Sequence, residues 1–275
     1  MTKNTENNDG LLARKIEYIS GFMLPERAEV LRATLARRTR YMTVCMENTF
    51  HPQNASALVR NCEAFGIQDI HTVEALCKFS PNVNIVRGTD KWVDIHKTGS
   101  TGDLIAALRA KGYRIVATSP HTDDRTPENF DVTAGRFALF FGTEHAGISD
   151  EVMRCADEFI RIPMCGFVES LNVSASAAIL LYTLSTRLRE SSVDWRIPED
   201  ERDEILLRWM KTTVRRRTDH ETGRFLSSLK TNKARLRERF PRPYFLLFPD
   251  IMLRELRSTR HAPSPSHEFR NGPFR

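Results

Sequence analysis

The amino-acid sequence predicts an α/β protein with a mainly parallel sheet. Short apolar runs alternate with helical patterns through the middle of the chain, as in proteins built from strand–helix–strand units. Residues 137–141 form a continuous apolar run, which is typical of a strand buried on both faces. The 275 residues are 40% apolar and 28% charged, which is ordinary for a globular protein with its own core.

The N-terminal region precedes this alternation. Residues 1–24 are predicted to be a tail with a short helix around residues 11–19. Residues 25–40 have the spacing of an amphipathic helix, with Ala28, Leu31 and Leu35 on one side. This helix carries several arginines, so we expect it to expose a basic face.

Six strands and four helices are predicted in the middle of the chain. The strands cover 43–47, 69–73, 91–96, 113–118, 137–141 and 158–162, and the helices cover 53–65, 102–110, 149–156 and 170–189. Gly66 and Gly112 mark the ends of two helices. We therefore predict helices on both faces of the sheet.

The last third of the chain changes character. A charged helix is predicted over 199–217, and scattered prolines beyond residue 240 indicate an extended tail. The predicted organisation is a tail and basic helix over 1–40, an α/β domain over 41–190, a basic helical extension over 191–240 and a flexible tail over 241–275.

Several protein classes are excluded by composition. The five cysteines are odd in number and contain no CxxC pair, which argues against a disulfide framework or a zinc site and predicts a reducing cytoplasm. No run approaches the roughly 18 apolar residues of a membrane-spanning helix. The first ten residues are polar and include Glu6 and Asp9, unlike a secretion signal. We expect no metal and no membrane association.

Basic residues are concentrated towards the C-terminus. The net charge is +6, yet residues 187–275 contain 21 Lys and Arg against 13 Asp and Glu. A smaller arginine cluster lies within residues 27–40. Such flanks suit a polyanion, and the excess of Arg over Lys favours phosphate groups, although a solvated helix face would have a similar pattern.

The sequence does not contain the common nucleotide-binding motifs. The loop after the 137–141 strand has the glycine spacing of a P-loop, but Ile148 stands where the phosphate-binding lysine belongs. Glu144 in the same loop would repel a triphosphate. No G-x-G-x-x-G follows a predicted strand, so a dinucleotide-binding domain is also disfavoured.

Three polar segments remain to be explained. Asn54 and Arg60 lie in the helix after the first strand, where an arginine on an apolar stretch needs an anionic partner. The glycines of loop 142–147 allow a ligand to approach the backbone. Ile-Pro-Met at 162–164 is followed by the small-residue segment 170–178, for which Ser170 is the expected N-cap.

These three segments, in this order and spacing, resemble the motifs of the SPOUT superfamily, and most closely its SpoU/TrmH branch of RNA ribose 2′-O-methyltransferases. The similarity covers roughly residues 25–217. Within the branch, the run 41–66 and the basic flanks look most like the tRNA guanosine-18 methyltransferases. The resemblance implies a C-terminal deep trefoil knot, a homodimer and S-adenosylmethionine as methyl donor.

The resemblance also implies roles for individual residues. Arg60 would be the central catalytic residue, acting as a general base or, at lower cost for a group of such high pKa, by orienting a phosphate and stabilising the oxyanion. The remaining catalytic residues would be Asn54, Glu144, Ser170 and Asn172. The cofactor would be held by Thr118, Gly142, Ile162 and Leu171.

RNA is the partner that this similarity implies. The residues expected to contact it are Arg32, Arg37, Arg38, Arg187, Arg189, Arg215, Arg216 and Arg217. The predicted function is 2′-O-methylation of a tRNA ribose, at guanosine 18 of the D-loop. Ribosomal RNA or another tRNA position is the alternative target, and a non-catalytic RNA-binding protein is a more distant alternative.

Overall fold

The computed structural model describes residues 3–49, 51–120, 125–143 and 146–229, with side chains described between residues 10 and 214 of these ranges. The residues up to Arg215 form one compact unit. The predicted tail over 241–275 lies outside the described residues. Among the described helices, none is both long enough and apolar enough to cross a membrane.

The described residues form a six-stranded parallel sheet, as the sequence predicted. Its strand order is β3-β2-β1-β5-β4-β6. The strands are Met42–Glu47 (β1), Asp69–Val73 (β2), Asp94–Thr98 (β3), Arg114–Thr118 (β4), Phe137–Phe141 (β5) and Glu158–Ile160 (β6). β1 and β5 pair at the centre and are buried along their whole length, which explains the continuous apolar sequence of β5 and the mainly apolar sequence of β1.

Eight α-helices accompany the strands in the described part of the chain. They are Lys3–Ser20 (α1), Pro25–Leu35 (α2), Pro52–Phe65 (α3), Val83–Val86 (α4), Thr101–Ala110 (α5), Asp150–Cys155 (α6), Val173–Glu190 (α7) and Glu199–Leu229 (α8). α3 ends at Gly66, whose φ of 79° is the left-handed conformation that glycine adopts readily. A short 3-10 helix, Thr89–Trp92, occupies the start of the segment predicted as the third strand.

Alternate residues of β1 face opposite apolar clusters, which places helices on both faces of the sheet. Val44 belongs to a cluster with Leu58 of α3 and Leu181 of α7. Its neighbour Cys45 belongs to a cluster with Leu104 of α5 and Val152 of α6. This alternation follows from the two-residue period of a strand, and it confirms the predicted layering.

The start of α7 differs from the prediction. Ser170 does not cap this helix, because Asn172 is the N-cap and its side chain accepts a hydrogen bond from the Ser174 N–H. β6 likewise ends at Ile160, two residues before the predicted end. Residues 161–172 are therefore an irregular connection, which leaves Ile162, Ser170 and Leu171 outside helix and strand.

The helices at the two ends of the core unit share a third apolar cluster. Ala28, Leu31 and Leu35 of α2 are buried, as their spacing predicted. They belong to the same cluster as Trp209 and Met210 of α8. The N-terminal basic segment is therefore packed onto the core rather than detached from it.

Candidate active site

A cavity of about 500 Å³ opens at the carboxyl ends of β4, β5 and β6. Carboxyl ends of parallel strands are the usual ligand-binding edge of an α/β sheet. All four residues predicted to hold a cofactor line this cavity, together with two predicted catalytic residues: Thr118, Gly142, Ile162, Leu171, Ser170 and Asn172. The structure therefore brings together segments that are far apart in the sequence.

The Gly142 loop turns back tightly on itself. The Thr143 N–H donates to the Gly147 carbonyl at 2.9 Å, and the Gly147 N–H donates to the Thr143 carbonyl at 3.1 Å. A Cβ at Gly142 would lie 2.0 Å from the Gly147 carbonyl carbon, which no side chain can tolerate. Glycine is required at position 142 because its Cα lies directly against the backbone of Gly147. Glu144 lies outside the described residues.

The cavity walls combine apolar surface with a few polar groups. Met153, Ile162 and Leu171 supply apolar walls, and Leu171 is 36% exposed. The Thr118 hydroxyl donates to the Phe140 carbonyl at 2.9 Å, which fixes the orientation of its side chain. A cavity of this size and character suits a small molecule with both an apolar ring and polar ends.

Asn172 connects the cavity to the motif on α3. Its Oδ1 accepts from the Ser174 N–H at 2.8 Å, and its Nδ2 donates to Asn54 Oδ1 at 3.1 Å. Asn61 of α3 also donates to the Ser174 carbonyl at 2.9 Å. The predicted residues Asn54 and Asn172 are therefore direct neighbours, and α3 and α7 are tied together at the edge of the cavity.

Arg60 is not part of the cavity lining. It lies six residues after Asn54 on α3, about 9 Å further along the helix axis. Its side chain is exposed, and one guanidinium N–H donates to the Ile85 carbonyl at 3.1 Å. The structure thus places Arg60 on the protein surface and outside the cavity lining, where a large substrate can reach it.

Three of the predicted RNA-binding arginines, Arg37, Arg38 and Arg189, line a second cavity of about 400 Å³. Arg37 and Arg189 border it with Tyr182, at the ends of α2, α3 and α7. Burial and the nearby Arg37 charge both lower the pKa of Arg189. One Arg189 N–H donates to the Phe65 carbonyl at 2.6 Å. Because Arg38 is paired with Glu63, which also lines this cavity, Arg37 and Arg189 give the cavity its net positive charge, which suits an anion.

Two arginines from the predicted RNA set, Arg38 and Arg187, make contacts within the protein. Arg38 is 1% exposed, pairs with Glu63 at 3.0 Å and lies over the Trp209 ring. Arg187 donates to the carbonyls of Pro127 and Phe130, both at 2.7 Å. Arg38 is too deeply buried to contact RNA. Arg187 stabilises the fold through its bonds to these two carbonyls.

Four members of the predicted RNA set remain, of which one lies on the surface and three have side chains outside the described ones. Arg32 is exposed in the last turn of α2. Arg215, Arg216 and Arg217 belong to α8, but their side chains lie outside the described ones. Arg32 is therefore accessible to a partner.

One polar residue at this edge of the sheet was missed by the motif analysis. Glu47 is the last residue of β1 and is 2% exposed. Its carboxylate accepts hydrogen bonds from Thr101 and Ser149. The available signal was an acidic residue that ends an otherwise apolar strand, since a buried carboxylate needs specific partners.

Comparison with known families and proteins adds independent information. Residues 41–182 match the model of the SpoU rRNA Methylase family. A protein of Borreliella burgdorferi named tRNA (guanosine(18)-2'-O)-methyltransferase is 35% identical over 207 residues, which are 75% of this chain and 94% of the relative. A Thermus thermophilus protein of the same name is 32% identical and is 98% covered, by 68% of this chain.

A solved structure is similar in fold as well as sequence. The crystal structure of an A. aeolicus TrmH/SpoU tRNA modifying enzyme superposes with a TM-score of 0.61 and 31% sequence identity. The match covers 69% of this chain and 97% of the other. The shared fold includes the parallel sheet on which the cavity is built.

Proposed function

Because the chain belongs to the SpoU methylase family, as its motifs predicted, we propose that it methylates the 2′-hydroxyl of a tRNA ribose at guanosine 18. The methyl donor is S-adenosylmethionine. The observation that carries this proposal is the cavity in which all four predicted cofactor residues meet. Relatives named for this reaction are matched over nearly their whole length.

The cavity residues fit S-adenosylmethionine. A volume of about 500 Å³ is within the range of small-molecule sites. Ile162 and Leu171 offer apolar surface to the adenine ring, and the tight Gly142 turn brings backbone groups to the cavity edge. When bound, the donor supplies an electrophilic methyl group on a sulfonium.

The residues around the cavity position the ribose. Asn172, held by its bond to Asn54, presents the start of α7 to the substrate. The exposed guanidinium of Arg60 binds a phosphate next to the reacting ribose and stabilises the developing oxyanion. Ser170 lines the cavity and Glu144 belongs to its loop, so both are retained as catalytic candidates. Orientation alone contributes several kcal/mol, on the order of 7 to 11 in model systems.

The exposed arginines form the proposed RNA surface. Arg32 lies on α2 and Arg37 lies in the turn that follows it, where it lines the second cavity together with Arg189. Each guanidinium donates to a backbone carbonyl, and the remaining N–H donors of the two groups bind a phosphate. Arg215, Arg216 and Arg217 remain part of this proposal through the charge of the sequence.

The trefoil knot is proposed by resemblance to the SpoU/TrmH branch, and the path of the chain is compatible with it. β6 lies at the edge of the sheet beside β4, whereas the next helix, α7, packs against α3 near β1. The connection between them returns past the cavity, which Ile162 and Leu171 line. Such threading is rare in proteins. A homodimer and a cytoplasmic location complete the proposal by resemblance to the SpoU/TrmH branch.

A methyl-transfer assay with labelled S-adenosylmethionine tests the proposal. Purified protein is given an unmodified tRNA transcript, and the labelled nucleotide is mapped. A transcript with adenosine in place of guanosine 18 is the matched control. We expect label on the ribose of guanosine 18 and none in the altered transcript.

Ribosomal RNA is the second candidate substrate, because the matching family is described by rRNA methylation. Ribosomal RNA fragments are therefore tested in parallel. Label on those fragments alone would replace the tRNA proposal with the second candidate. Absence of label on every RNA, from protein that binds S-adenosylmethionine, would contradict catalysis and favour a non-catalytic RNA-binding protein.

A further inference from the structure

Glu47 holds one end of the cofactor loop. This carboxylate ends β1 and is 2% exposed. Its Oε1 accepts from the Thr101 hydroxyl at 2.7 Å and from the Ser149 hydroxyl at 2.8 Å. Its Oε2 accepts from the Ser149 backbone N–H at 3.0 Å. Three donors thus compensate the burial of a charged group.

Ser149 transmits this contact to the cavity. It directly follows Ile148, which lines the cavity, and it is the N-cap of α6. Its hydroxyl donates to Glu47 and also accepts from the Val152 N–H at 3.3 Å. The position of Ile148 therefore depends on a residue whose backbone and side chain are both bound by Glu47.

The other end of the loop is fixed by the sheet. Phe141 is the last residue of β5, and Gly142 then packs on Gly147 with no room for a side chain. The described residues of the loop, 142–143 and 146–149, are thus held between two anchors, which are β5 at the entry and Glu47 at the exit. A shift at either anchor moves the residues that border the cavity.

We propose that Glu47 is a positioning residue for S-adenosylmethionine, acting through Ser149 on the loop that borders the cavity. This inference rests on the proposed function and adds a residue that the motif analysis did not contain. Glu47 itself is not among the residues lining the cavity. Its effect is therefore expected on cofactor affinity rather than on the chemical step.

Glu74 provides a matched control. It directly follows β2, and its carboxylate accepts from the Phe79 backbone N–H at 2.9 Å and from Lys97 at 2.7 Å. Both glutamates therefore accept a backbone N–H at neighbouring strand ends, while Glu74 is partly exposed and also pairs with Lys97. Phe79 does not line the cavity, so loss of Glu74 tests anchoring without the cofactor loop.

The experiment measures the Kd of S-adenosylmethionine by calorimetry, at a temperature where circular dichroism shows every variant folded. Glu47→Ala is expected to raise the Kd about tenfold, since hydrogen bonds to charged groups are the stronger class. Ser149→Ala keeps the backbone N–H contact, so an increase of about threefold is expected. Glu74→Ala is expected to leave the Kd unchanged.

Steady-state kinetics separate positioning from general destabilisation. We expect Glu47→Ala to raise the KM for S-adenosylmethionine with kcat near the wild-type value. A wild-type Kd and KM in folded Glu47→Ala, or an equal increase in Glu74→Ala, would overturn the inference. If Glu47→Ala does not fold, Glu47→Gln and Ser149→Ala carry the same test. Wild-type protein that fails to bind S-adenosylmethionine would instead overturn the proposed function, and this inference with it.

Discussion

The cofactor cavity and the region around α2 and α8 use polar residues in different ways. Near α8, charges pair with one another: Arg40 contacts Asp69, Asp94 and Glu201, and Arg208 also contacts Asp94. At the cavity, polar side chains such as Thr118 bond to the backbone and leave a space of about 500 Å³. Charge density in a sequence therefore does not distinguish residues that bind a ligand from residues that hold the fold together.

The largest expected effect is at Arg60. Arg60→Ala removes the group that we propose to bind a phosphate and stabilise the oxyanion, so we expect methyl transfer to fall about 1000-fold with S-adenosylmethionine affinity unchanged. Single-turnover rates with tRNA measure the effect. Arg136→Ala is the control, because Arg136 is exposed just before β5, at the opposite edge of the sheet. Near-normal turnover of Arg60→Ala would remove Arg60 from the active site.

Gly142→Ala tests whether the cavity needs its tight turn. The new Cβ would meet the Gly147 backbone at 2.0 Å, so the loop must open. We expect the Kd of S-adenosylmethionine to rise about 100-fold, equivalent to nearly 3 kcal/mol. Gly99→Ala is the matched control, since a Cβ there meets nothing within 4 Å. Equal affinities in the two variants would show that the turn is unimportant for binding.

Arg37 and Arg38 are adjacent in sequence, but Arg37 is exposed and Arg38 is buried in an ion pair. Arg38→Ala leaves Glu63 without its buried partner, and we expect the free energy of unfolding to fall by about 2 kcal/mol. Arg37→Ala is expected to change that free energy by less than about 0.5 kcal/mol. Its expected effect is weaker tRNA binding with a smaller salt dependence.

Urea unfolding and binding titrations at several salt concentrations measure the two effects. The folded Arg38→Ala protein should bind tRNA like the wild type. A loss of salt dependence in Arg38→Ala, with none in Arg37→Ala, would reverse the assignment of these two arginines.

The smallest expected effect concerns His71, beside the paired charges near α8. Burial, with the nearby His96, lowers the pKa of His71 to about 4 from 6.5. The unfolded chain therefore binds more protons between these values, so the free energy of unfolding is highest above pH 6.5 and falls as the pH drops towards 4. We expect a loss of about 1 kcal/mol between pH 7 and 5.5. Urea unfolding of wild type and His71→Phe measures it, and equal losses in both would contradict the role of His71.

Local patterns predicted the regular elements well. The second and fifth strands have the predicted bounds, Asp69–Val73 and Phe137–Phe141. The fifth is an unbroken apolar run, as expected of a buried parallel strand, whereas the second also contains buried polar residues. The end of α3 at Gly66 also follows from one residue's backbone freedom. The predicted start of α7 at Ser170 was wrong. Ser170 and Asn172 are both good N-cap residues, and only the packing against α3 selects Asn172.

The site could also be predicted only in part, because some of its contacts join residues that are distant in the sequence. Thr118, Gly142, Ile162 and Leu171 were identified through motif resemblance, and the structure places them around one cavity. Glu47 was missed, since its importance depends on Ser149 and Thr101, which come from later parts of the chain.

Periodicity and motif spacing are local properties of a chain, so they were enough to predict the α/β class, the parallel sheet and the family. The tertiary structure alone decided which charged residues are available to a ligand. Arg38 is buried against Glu63 and Trp209, and Arg60 lies exposed on α3. Their difference arises from contacts between residues distant in sequence, and such contacts depend on the path of the folded chain.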